Sequence, residues 1–134
     1  MAEVDRENAK KLRVAQALFR VWQDAAEHSA TYREYAACGT ALKAESAVLI
    51  YEPWMSYAYD YMRAGYAAWR RWVKYAQRRP DADSIDKYAP SAILLGLFFR
   101  ACRAGGATAA YRVSEGIKWV DAQLGLGLPL DTSV

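Results

Sequence analysis

Val113, Ile117, Val120 and Leu124 recur at i, i+4, i+7 and i+11, a spacing that forms a continuous face only on an α-helix. The same period recurs elsewhere in the chain, and no run of alternating apolar and polar residues competes with it as a strand. The reading is therefore an all-α protein, a compact bundle of about five helices.

The first helix is expected from about Asp5 to Ser29, with Leu12, Ala15, Phe19, Trp22 and Ala26 on its apolar stripe. Thr31 followed by Glu34 reads as a capping box that opens a second helix, which Pro53 should stop. A third is expected from Met55 to Gln77. After the polar turn Asp81–Tyr88, Pro90 is placed to open a fourth helix carrying Ile93, Leu94, Leu97 and Phe98, apolar enough to be the central element. Gly105 and Gly106 end it. Thr108 is expected to cap a fifth helix that runs to Gly125. The core so predicted contains Leu18, Phe19, Trp22, Leu42, Trp69, Val73, Leu94, Leu97, Phe98, Ile117 and Val120, and residues 129–134 form a tail.

With 134 residues, of which 54% are hydrophobic, the chain is the size of one helical domain. Its net charge of +3 is uneven: residues 1–53 carry 7 Lys and Arg against 8 Asp and Glu, and residues 54–134 carry 11 against 7. The excess is concentrated in Tyr61–Pro80, where Arg63, Arg70, Arg71, Lys74, Arg78 and Arg79 stand among Tyr66, Trp69, Trp72 and Tyr75 without an acid. On a helix, Met62, Trp69 and Ala76 share one stripe and Arg63, Arg70, Lys74 and Arg78 another. A self-satisfied surface helix alternates charge signs, so this face is read as offered to an anionic partner.

Catalytic chemistry has little to stand on. A lone histidine, His28, supports neither a triad nor a zinc site, and its place at a helix end suits a cation beside the dipole. Asp81, Asp83 and Asp86 begin like a calcium loop, but Ile85, Asp86 and Ala92 occupy positions where that loop needs Asp or Asn, Gly and Glu. No metal and no cofactor is expected, and the chain is not read as an enzyme. Cys38 and Cys102 fall inside predicted helices, which argues against a disulfide framework and for a reducing compartment. The charged start Met1–Glu7 lacks the apolar core of a secretory signal, and Arg100 and Arg103 interrupt the apolar run before a membrane span is reached. The expectation is a soluble, intracellular protein of cytoplasm or nucleus.

From about Trp54 to Leu128 the chain resembles the N-terminal core-binding, SAM-like domain of tyrosine recombinases and phage-type integrases. The likeness lies in the aromatic–basic helix Tyr66-Ala-Ala-Trp-Arg-Arg-Trp-Val-Lys-Tyr, a polar loop and the apolar helix Ile93-Leu-Leu-Gly-Leu-Phe-Phe. Beyond a glycine turn, Gly106-Ala-Thr-Ala-Ala-Tyr-Arg-Val opens a last helix through Gly116-Ile-Lys-Trp to Leu124. The resemblance implies a domain that clamps double-stranded DNA. Arg70, Arg71, Lys74 and Arg78, with Arg63 on the same basic face, and Arg112 and Lys118 further on would contact phosphates, joined near the last helix start by Thr108 and Tyr111. In that family the catalytic Arg, Lys, His-x-x-Arg and Tyr nucleophile belong to a second domain, so the resemblance implies a binding role and no strand cleavage for the stretch that matches. Residues 1–53 lie outside the resemblance. The alternative reading, supported by ten Tyr and five Trp, is a small structural or interaction subunit of a larger protein assembly.

Overall fold

In the computed structural model, residues 2–130 are described, and among them every regular element is helical. Six α-helices succeed one another: α1 Ala2–Ala25, α2 Ala30–Ala36, α3 Thr40–Met55, α4 Tyr59–Gln77, α5 Ala92–Arg103 and α6 Ala107–Leu124. The sixth arises because the expected second helix is two. It opens at Ser29, whose hydroxyl accepts from the Tyr32 N–H at 3.1 Å, so the Thr31–Glu34 box does not cap it. It then breaks at Cys38–Gly39, with Gly39 extended at the head of α3. The break turns α3 back onto α1: the rings of Phe19 and Tyr51 approach to 5.3 Å and those of Trp22 and Trp54 to 6.2 Å. A helix continued through glycine would forgo those contacts and pay about 1 kcal/mol of poor propensity besides. Pro53 does not stop α3, which carries it in its last turn.

α4 and α6 form the centre, packed antiparallel along much of their length. Small residues make the approach possible: a Cβ added at Gly116 would lie 2.6 Å from the Ala68 Cβ and 3.3 Å from the Ala64 carbonyl oxygen. At Gly65 it would lie 2.5 Å from the Trp119 ring. α1 lies across α3 and α4 and buries Ala15, Leu18, Trp22 and Ala25. This stripe is rotated from the expected one, leaving Leu12 exposed and Phe19 half-buried. All five tryptophans are buried.

α5 is an edge helix. It packs on α6 and sends Phe98 to α4, its ring 5.4 Å from Trp72 and 5.3 Å from Tyr75, while Ile93 is 79% and Leu97 39% exposed, so the expectation of a central, enclosed fourth helix is corrected. Apolar composition all round did not enclose it, because only one of its faces has a neighbour. Ser91 caps α5, accepting from Leu94 N–H at 3.1 Å, with Pro90 just ahead of the cap. Leu42, expected in the core, is 53% exposed on α3. Val73 and Leu94 are half-buried.

α6 opens at Ala107 behind Gly106, which takes φ 110°, so Thr108 is not its cap. Its other end follows expectation: Gly125 at φ 65° closes the helix, its N–H bonded to the Asp121 carbonyl at 2.9 Å. The chain beyond stays attached, with Leu126 and Leu128 buried and the Leu128 N–H bonded to Asp121 Oδ1 at 2.9 Å. Of the expected tail, 131–134 lie outside the described residues. No helix among the described residues is long and apolar enough to cross a membrane.

Candidate nucleic-acid interface

α4 turns Met62, Gly65, Ala68, Trp69, Trp72 and Ala76 inward. The opposite side is left to its cations. At 100° per residue, Arg63, Arg70, Arg71, Lys74 and Arg78 fall within about 100° of arc, and from Arg63 to Arg78 they extend about 22 Å along the axis. All five are exposed. Packing dictates this arrangement: the indoles of Trp69 and Trp72 must be enclosed, and residues half a turn away are then driven to water.

The acid-free window of the sequence is closed at both ends in the fold. Arg63 Nη2 lies 3.7 Å from Asp60 Oδ1, one turn earlier. Arg79 is drawn off the face, its Nε 2.8 Å from Asp81 Oδ1 and its Nη1 donating to the Tyr75 hydroxyl at 3.3 Å. The hydrogen bond from Arg79 holds the Asp81 carboxyl below its ordinary pKa. What remains is Arg70, Arg71, Lys74 and Arg78, none of which forms an ion pair among the described residues.

Two neighbours extend this set. A groove of about 370 Å³ between α1 and α4 is lined by Arg20, Arg70, Lys74 and Lys87 with one acid, Asp24. Arg20 and Lys87 were not singled out in the sequence, because Arg20 sits among alternating charges and Lys87 in an acidic loop. Asp24 is already engaged, accepting from the Tyr88 hydroxyl and lying 3.4 Å from Lys87 Nζ. The Tyr88 hydrogen bond lowers its pKa most, burial opposes it, and Lys87 adds a lesser lowering. Burial first, and Asp24 second, push the Tyr88 phenol well above its ordinary range. On the other flank, the contacts of Gly65 with Trp119 and of Ala68 with Gly116 set the α4–α6 register. One turn before Gly116, Arg112 therefore stands level with the Arg70–Trp72 turn, and Thr108 level with the next turn of α4. Both are exposed.

Lys118 does not join them. It lines a separate groove between α5 and α6 with Arg100, Arg103 and Tyr111, and its Nζ is 3.4 Å from Glu115 Oε1. The helix period separates it: six residues after Arg112 is about 240° round the axis. Tyr111 lines the same groove, away from the α4 face.

His28 Nε2 is 2.8 Å from Asp86 Oδ2, tying the end of α1 to the acidic loop. Among the described residues no three His, Cys, Asp or Glu gather as a metal centre requires, and Cys38 and Cys102 are free thiols. Burial pushes the Cys102 thiol pKa up. An all-helical protein with a cationic face on α4 is the class that fold and site define. No protein-family model, curated protein or solved structure matches the chain.

Proposed function

We propose that this chain is a non-catalytic module that grips double-stranded DNA by its phosphates through α4, in the manner of the core-binding domains it resembles. The observation that carries the reading is the exposed row Arg70, Arg71, Lys74 and Arg78, without an acidic partner among the described residues and flanked by Arg20 and Arg112. Like charges held side by side repel, and a polyanion relieves that repulsion while releasing its condensed counterions. Guanidinium groups suit the task, since they offer forked donors to phosphate oxygens. Phosphate contact carries little sequence information, so binding is expected to be tolerant of sequence.

The test is affinity for an unrelated duplex as a function of salt. Replacing Arg70, Lys74 and Arg78 together by Gln should weaken every duplex alike and flatten the slope of log K against log salt by about 3. A triple variant with the parent's affinity and slope would overturn the reading.

A second reading, an interaction subunit of a protein assembly, is favoured by one observation. Leu42, Val48 and Leu49 on α3 and Ile93 on α5 are all more than half exposed. Such apolar surface at helix faces is characteristic of interfaces.

A further inference from the structure

The solvent face of α3 combines two properties. Leu42, Val48 and Leu49 are 53%, 52% and 64% exposed, and Glu45 and Glu52 are exposed between and beyond them. It is a greasy face punctuated by negative charge. Elsewhere, α5, α6 and the segment after α6 line a groove of about 790 Å³ that includes Leu95, Phe99, Ala110, Pro129 and Leu130, with Arg100, Arg103 and Lys118 beside them. That groove is greasy and positive. α3 packs on α1 and α4, not on the α5–α6 pair, so a chain cannot fill its own groove with its own α3.

We infer that α3 of one copy docks into the α5–α6 groove of a second copy, so that the chain self-associates through two unlike surfaces. This deepens the interaction reading above and is independent of the DNA-binding face. The charges of the two surfaces are complementary. Glu45 and Glu52 are seven residues apart, two turns and about 10.5 Å along α3. In the α5–α6 hairpin, the turn at Ala104–Gly106 places Arg100 level with Ala110 and Tyr111, and Ile93 level with Ile117 and Lys118. Arg100 on α5 and Lys118 on α6 therefore stand toward opposite ends of the groove. Two carboxylates stand on one surface and three cations rim the other.

The charges are also available. Among the described residues neither Glu45, Glu52, Arg100 nor Arg103 forms an ion pair, and Lys118 has only the exposed Glu115 three residues away. Burial of Leu42, Leu49 and Ile93 would drive association, while the opposite charges at the rim steer α3 onto the groove. Because the surfaces are unlike, the contact closes into a ring or extends into a chain of copies.

The experiment is sedimentation velocity of the full chain over a concentration series, without nucleic acid. Compared with it are the variants Glu45→Lys/Glu52→Lys and Arg100→Glu/Lys118→Glu, all at exposed positions and each checked for an unchanged helical spectrum and melting temperature. The parent is expected to associate, and each variant alone should associate at least about tenfold more weakly, since it opposes like charges across the contact. Mixed in equal amounts, the two variants should regain the parent's association, because a reversed α3 then meets a reversed groove and an unaltered α3 an unaltered one. A parent that stays monomeric to its solubility limit overturns the proposal. So does a variant that associates as the parent does, or a mixture that remains as weak as its components. None of these outcomes bears on duplex affinity.

Discussion

The Ser29 hydroxyl donates to the carbonyl of Leu124 at 2.6 Å, across 95 residues of chain. The same oxygen accepts from Trp22 Nε1 at 3.0 Å and from the Tyr32 N–H at 3.1 Å, and Ser29 is wholly buried. One hydroxyl thus joins the end of α1, the start of α2 and the last carbonyl of α6. Ser29→Ala removes a cap and leaves the indole N–H and the Leu124 carbonyl only the longer contacts with Thr31 Oγ1, at 3.2 and 3.4 Å. It should cost about 2–4 kcal/mol, read from the midpoint of chemical denaturation at constant slope. Thr31 Oγ1, 3.2 Å from the same indole, is the one group placed to recover part of it, so Ser29→Ala/Thr31→Val should cost more than Ser29→Ala alone.

Gly96 and Gly116 are both in helices and should respond to alanine with opposite sign. Nothing lies within 4 Å of a Cβ at Gly96, so Gly96→Ala gains helix propensity and should stabilise by up to about 1 kcal/mol. At Gly116 the new methyl meets Ala68 and the α4 backbone, and separating two helices outweighs the same propensity gain, with a net loss of about 1–2 kcal/mol. Parallel thermal melts decide it. Equal shifts in the two variants would mean that α4 and α6 are further apart than described.

Tyr88 supplies a pH dependence. Its phenol is raised above the ordinary value of 10.0, chiefly by burial. The folded state therefore keeps a proton that the unfolded chain gives up. That stability is fully present below pH about 10 and is lost as pH rises from there toward the folded-state value. Denaturation midpoints should fall above pH 10, and Tyr88→Phe should flatten the fall. Asp24 acts in the opposite direction: its pKa is lowered, so its smaller, solvent-screened contribution holds above about pH 4 and fades as acid protonates it.

Arg112 and Lys118 were grouped together on sequence and lie on different faces. If α4 is the phosphate-binding surface, Arg112→Gln should flatten the salt slope of duplex binding by about 1, and Lys118→Gln should leave it unchanged. Equal effects would mean that the contact surface extends round α6 and is not confined to the α4 side.

Which parts of this could be read in advance follows from range. Helix identity is local: the spacing of Val113, Ile117, Val120 and Leu124, the stop at Gly125 and the inward turn of Trp69 depend on neighbours a turn or two away. These the chain determined by itself, as it did the cationic side of α4, because a helix that buries its indoles leaves only one place for its arginines. Tertiary packing decided the rest. Whether Gly39 would break a helix depended on Phe19 and Trp22 waiting to receive Tyr51 and Trp54. Whether the apolar α5 would be central depended on α4 and α6, whose Gly65, Ala68 and Gly116 let them pair closely and left α5 at the edge. The site divides in the same way. Arg70, Arg71, Lys74 and Arg78 form one row within a single helix, whereas Arg20 joins that row and Lys118 leaves it through helix packing, which residue spacing along one helix does not encode.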